Sequence, residues 1–112
     1  IIDDLDNDSI PEIYCATAAS SNIPDSMGIP YNDYSSWFMG FDANLRFLFP
    51  PVENKGFPSL TSISKFINKS GEKFIAVMFN QPSRKKYKLI FYQANGKIYS
   101  QKTFDYPAAA KS

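Results

Sequence analysis

Apolar residues near the start of the chain follow helical spacing over a short stretch. Ser9-Ile10-Pro11-Glu12 has the form of a capping box with proline in the first turn. Ile10, Ile13, Tyr14 and Ala18 then share one helical face, with Thr17 as its polar member, until Ser20-Ser21-Asn22 and Pro24 break the pattern. This spacing predicts an N-terminal helix. From Ile23 to Asp33 the Pro, Gly, Asn, Asp and Ser content predicts a loop, long enough to serve in binding. Tyr34 to Phe41 reads either as a second short helix or as the first arm of a hairpin with Leu45 to Phe49, a strand that Pro50-Pro51 ends.

Pro58-Ser59 opens a central helix in the same reading, with Leu60, Ile63 and Ile67 as its stripe, Phe66 beside them and Gly71 placed to stop it. Beyond Gly71 the period shifts to two. Three strands are expected, Lys73 to Asn80, Lys86 to Gln93 and Lys97 to Asp105, joined by Gln81-Pro82-Ser83-Arg84 and by a type I′ turn at Asn95-Gly96. A two-residue loop there sets Ala94 opposite Lys97 and assigns the faces. Tyr87, Leu89, Phe91, Ile98 and Phe104, with Ser100 and Lys102 toward the edge, should lie on the helices. Lys86, Lys88, Ile90, Tyr92, Tyr99, Gln101, Thr103 and Asp105 should form a half-wetted face, with Tyr92 paired to Tyr99 and Lys86 to Asp105.

The expected fold is therefore α+β, one domain over residues 1–112, with a flexible acidic lead-in at 1–8. An N-terminal and a central helix pack on an antiparallel sheet that ends in a three-stranded meander. In its order of elements the chain resembles the cone-shaped, nuclear-transport-factor-2-like folds. That resemblance implies an architecture that hosts enzymes and binding modules alike.

Composition narrows the chemistry. Ten Phe, seven Tyr and one Trp in 112 residues predict an aromatic core. No apolar run reaches the roughly 20 residues that cross a bilayer, so a soluble chain is expected. The chain begins at Ile1 instead of Met, which suggests a removed upstream segment and a lean toward a periplasmic or secreted location. Cys15, the single cysteine, excludes an intramolecular disulfide and reads as a small core residue. The absence of histidine removes the commonest general base and most zinc and haem sites. No catalytic residue, cofactor or metal is expected.

Asp4-Leu5-Asp6-Asn7-Asp8 does have the alternating oxygen ligands that open a calcium loop. Counted as a twelve-residue EF-hand frame from Asp4, however, it places Ser9 where glycine belongs and Cys15 where a bidentate acid belongs. It reads as a solvated terminus. Asn68-Lys69-Ser70 matches the glycosylation acceptor pattern, a tripeptide common by chance.

Charge divides the chain. Residues 1–56 hold nine acids against Arg46 and Lys55, while residues 57–112 hold ten basic residues against Glu72 and Asp105. Such halves either satisfy each other across the fold or steer a charged partner. Arg84, Lys86, Lys88 and Lys97, with Tyr92 and Tyr99, form the expected partner-binding set. The function expected is that of a non-enzymatic protein-binding domain, such as a small inhibitor, a toxin-neutralising protein or a soluble domain of an envelope or secretion assembly. It would use the open face or edge of the C-terminal sheet and the loop from Ile23 to Asp33. Nucleic-acid or polyanion binding by the basic sheet is the second expectation. A carboxylate-based enzyme with a cone-shaped pocket near Asp33, Asp42 or Glu53 is the third.

Overall fold

Eight strands carry the regular structure in the computed structural model, which describes residues 1–18 and 35–107, with backbone alone at 60 and 61. The first four are β1 (Ile2–Asp3), β2 (Glu12–Ala16), β3 (Ser36–Phe41) and β4 (Val52–Asn54). They form one antiparallel sheet in the order β1-β2-β3-β4. A second antiparallel sheet follows in the order β5-β6-β7-β8, made of β5 (Ser59–Ile67), β6 (Lys73–Gln81), β7 (Lys86–Tyr92) and β8 (Ile98–Asp105). A 3-10 turn at Pro82–Arg84 joins β6 to β7. Among the described residues there is no α-helix, so the α+β expectation is corrected to an all-β fold, and the cone-shaped resemblance falls with it.

Local chemistry explains the two lost helices. Over Glu12–Ala16 the chain runs as a strand that splits the supposed stripe, with Glu12 and Tyr14 buried and Ile13 and Cys15 turned the other way. Over Ser59–Ile67, three serines and Thr61 compete with helical hydrogen bonds, while Ile63, Phe66 and Ile67 favour a pleated surface. Two further expectations also change. Leu45 to Phe49 is no strand: only Phe47 bridges back to Phe41, and the true partner of β3 on that side is β4. The acidic lead-in is built into the fold, with Ile2 opposite Ile13 and Leu5 in the core. The loop from Ile23 to Asp33 lies outside the described residues.

The two sheets face each other. Leu5, Tyr14 and Phe38 from the first meet Ile75, Val77, Phe79, Ile90 and Tyr92 from the second. Phe38 is the centre, with its ring 4.0 Å from that of Tyr92, 5.7 Å from Phe49 and 6.1 Å from Tyr14. The Tyr14 hydroxyl donates to the Ala94 carbonyl at 2.9 Å, tying the first sheet to the β7–β8 hairpin. Phe49 fills the space between Gly40 and Gly96, where a Cβ on either glycine would lie 2.7 Å and 2.5 Å from its ring.

Three connections share one geometry. In Asp42–Arg46, Asn68–Glu72 and Gln93–Lys97 the first residue accepts from the fourth and donates to the fifth. The fourth residue is left-handed: Leu45, Gly71 and Gly96. This is the three-residue hairpin loop of a type I turn closed by a G1 bulge. Asn95-Gly96 is thus no type I′ turn, since Asn95 keeps a negative φ. A bulge between Phe91 and Tyr92 then restores the residue that the longer loop removed. The expected register returns from Phe91–Ser100 to Lys86–Asp105, whereas Tyr92 faces Ile98 in place of Tyr99.

Two measurements test these contacts. Leu45 occupies a glycine position at φ 63° and is exposed. Leu45→Gly should raise unfolding stability by about 0.5–1 kcal/mol in a urea titration, the left-handed penalty less the entropy that glycine adds. Gly40→Ala, by overpacking Phe49, should cost about 1–3 kcal/mol in the same titration.

Candidate functional site

The loop between β1 and β2 gathers four carboxylates. Ligand oxygens of Asp4, Asp6, Asp8 and Glu12 all lie within 4.8 Å of one another. Leu5 makes this possible. Its side chain is buried in the core and pins the loop, while its neighbours stay nearer the surface, Asp4 half-buried and Asp6 exposed. Left-handed Asn7 and Ser9, at φ 62° and 69°, curl the loop back on itself. Backbone N–H groups then orient the acids: Asp8 and Ser9 donate to the Asp4 carboxylate, and Ile10 donates to Asp8.

Glu12 closes the loop from the first position of β2. It is only 3% exposed, and its Oε1 accepts from the N–H groups of Leu5 and Asp6 at 3.0 and 3.3 Å. Among the described residues no cation reaches it, for the two ion pairs are Lys65–Asp3 and Lys86–Asp105. Burial pushes its carboxyl above the usual range, and the charges of Asp6 and Asp8 add to the rise. Asp6 is raised as well, by desolvation first. Asp3, beside the cluster, goes the other way because the Lys65 ammonium bonds it at 2.6 Å. The Lys73 ammonium donates to the Asp4 carbonyl at 3.0 Å and fastens the loop to β6.

Such a constellation suits a hard divalent cation. Calcium takes oxygen ligands at about 2.3–2.6 Å, so ligands on opposite sides of the ion stand about 4.8 Å apart. Magnesium, at about 2.0–2.1 Å, needs a tighter cage. The sequence carries the spacing Asp4, Asp6, Asp8, Glu12, but a twelve-residue EF-hand frame from Asp4 puts its closing acid at position 15. The loop closes at Glu12, a residue assigned in that reading to a helix cap.

The expected partner-binding set is dispersed. Tyr92 is fully buried against Phe38, which corrects its expected exposure. Burial pushes its hydroxyl up to about 12. Lys88 lies on the same inner side, reaching Asn54 at 3.4 Å and lying over the Phe57 ring at 5.5 Å. Lys86 pairs with Asp105 at 2.5 Å, as expected. Arg84 and Lys97 are exposed in separate turns. Tyr99 stands on the other face, stacked on Phe74 at 4.3 Å. The structure therefore does not bring these six residues onto one surface. Asp42 is held in its hairpin, where it accepts from the N–H groups of Asn44 and Arg46. Asn68 does the same in the next hairpin, accepting from Ser70 and Glu72. Cys15 is half-buried, with its thiol pushed up by burial. No helix among the described residues is long and apolar enough to cross a membrane.

No protein family, curated protein or solved structure matches this chain.

The raised carboxyls have a pH signature in chelator. Because folded Glu12 and Asp6 keep their protons to a higher pH than the unfolded chain does, their contribution to stability falls as pH rises above their ordinary values of 4.5 and 3.8. Asp3 acts oppositely and loses its stabilisation only as pH falls below its ordinary 3.8. Thermal unfolding from pH 7 to pH 4.5 should show wild type gaining on Glu12→Gln as pH falls. A constant difference between the two would refute the assignment.

Proposed function

We propose that this chain is a non-enzymatic binding module whose β1–β2 loop takes up a calcium ion. The observation that carries this reading is the convergence of Asp4, Asp6, Asp8 and Glu12, whose ligand oxygens lie within 4.8 Å of one another, with Glu12 buried and, among the described residues, without a cationic partner. Four negative charges in so small a volume repel one another, and a divalent cation relieves that repulsion while supplying the counter-charge that Glu12 lacks.

The ion's role here is structural. Leu5 anchors the loop in the core, and Lys73 and Lys65 hold its flanks to the second sheet. Ion binding therefore couples directly to the packing of sheet on sheet. With no histidine, and with the carboxylates facing each other across the loop, the site offers a cation ligands and no activated base. Partner binding falls to the broad faces of the sheets.

Titration calorimetry and thermal unfolding test the reading. Calcium should bind with 1:1 stoichiometry, and at a hundredfold excess over Kd should stabilise the fold by about 2.7 kcal/mol. Magnesium should do markedly less. Asp6→Asn and Glu12→Gln should each weaken calcium binding at least tenfold while the calcium-free fold persists. Absence of both binding heat and thermal shift in the wild type would overturn the proposal.

A further inference from the structure

Four connections leave the same end of the sandwich. In the first sheet Asp3 lies opposite Glu12 and Ile13 opposite Phe41, so the carboxylate loop at 4–11 and the hairpin at 42–46 emerge together. In the second sheet Ile67 lies opposite Lys73 and Tyr92 opposite Ile75, which sends the hairpins at 68–72 and 93–97 out beside each other. Bonds between the sheets bring the two pairs to one end. Lys65 reaches Asp3, Lys73 reaches the Asp4 carbonyl, and Tyr14 reaches the Ala94 carbonyl.

Apolar exposure is concentrated at that end. Each large apolar side chain exposed among the described residues stands in one of these connections or within two residues of it. Ile10 is 53% exposed in the carboxylate loop itself, where its N–H donates to Asp8. Leu45 is 70% exposed in its hairpin, and Ile67 and Ile98, at 50% and 44%, flank the other two. Leu45 also holds the left-handed position that glycine fills in the two sister hairpins, so backbone strain and water both count against it. So exposed a leucine contributes little to the fold in return.

Cations stand among these apolar tips. Arg46, Lys69 and Lys97, one in each hairpin, are exposed, and none has an ion pair among the described residues. Separate apolar side chains interspersed with cations suit a lipid surface, which each side chain enters on its own. A protein partner needs a continuous complementary surface of about 800 Å². The loop carboxylates, with Asp42 and Glu72 in the neighbouring hairpins, would repel anionic headgroups. Calcium offsets two of those charges. It takes about six to eight oxygens, so four ligand atoms leave positions for headgroup oxygens on the side where Asp6 and Asp8 are exposed.

We propose that this end of the molecule docks on an anionic lipid surface in the presence of calcium, with Ile10 and Leu45 entering the boundary between headgroups and acyl chains and the hairpin cations meeting lipid phosphates. Docking rests on the calcium reading above and gives the ion a bridging role beside its structural one.

Co-sedimentation with vesicles tests this, comparing phosphatidylcholine alone with a phosphatidylcholine–phosphatidylserine mixture, each in calcium and in EDTA. Wild type should sediment with the mixed vesicles in calcium and bind about tenfold more weakly, or less, in EDTA or on phosphatidylcholine alone. Leu45→Gly should weaken the binding about tenfold, through loss of one leucine from the acyl boundary. Lys69→Glu should weaken it about fivefold or more. Because Leu45→Gly is expected to stabilise the fold, its loss of binding separates a membrane contact from a damaged structure. Calcium heats in solution without sedimentation would overturn the docking and leave the cation site standing, whereas absence of both would sink both. Binding undiminished in EDTA, or undiminished in Leu45→Gly, would overturn the docking as well.

Discussion

The stack of Phe38 on Tyr92, 4.0 Å between centroids, is the contact on which the rest of the structure depends. It joins the third strand of one sheet to the third strand of the other, and both residues are fully buried. Around it Tyr14 and Phe49 extend the aromatic layer, and Ile75, Val77, Phe79 and Ile90 supply its aliphatic floor. Large rings bury much area at low entropic cost, which suits a small sandwich without disulfides and, among the described residues, without α-helices to cover it. The remaining polar atoms adapt to that layer. The Tyr14 hydroxyl finds the Ala94 carbonyl and the Tyr92 hydroxyl faces the Asn54 side chain, while the Ser36 hydroxyl is buried without a hydrogen-bond partner among the described residues.

The carboxylate loop hangs from the same core. Leu5 is its apolar anchor, buried in the core in a bend whose flanking acids are less buried, Asp4 partly and Asp6 exposed. Glu12 belongs both to the loop and to β2, two residues from Tyr14, so the geometry of the candidate cation site is set by a strand that also carries the core. Lys65 and Lys73 reach this loop from the second sheet, which shows that the two oppositely charged halves partly satisfy each other across the fold. The acids of Asp4, Asp6, Asp8 and Glu12 are left out of that exchange.

Three hairpins built on one plan give the chain a regularity that its residues conceal. Asp42 and Asn68 open two of them and use the same side-chain oxygen for the same two N–H groups, while Gln93 opens the third without that device. The left-handed position is glycine twice and Leu45 once. The backbone geometry repeats in all three, whereas the opening side-chain device and the left-handed glycine each recur in only two.

The sequence alone determined the C-terminal meander, the Lys86–Asp105 pairing, the aromatic character of the core and the alternating acids at the N-terminus. Each depends on local periodicity or on a turn residue, which neighbours along the chain suffice to specify. Tertiary structure decided the rest. Glu12–Ala16 and Ser59–Ile67 fit a short helical stripe or a strand equally well, and only pairing with β3 and β6 selects the strand. In β7 both faces are apolar, Tyr87, Leu89 and Phe91 on one and Ile90 and Tyr92 on the other, so alternation cannot say which turns inward. The register with Ile75 and Val77, beneath Phe38, chooses Tyr92 and Ile90. Likewise the four acids are near one another in sequence, but only the burial of Leu5 and the pairing of β1 with β2 bring Glu12 back to close the loop.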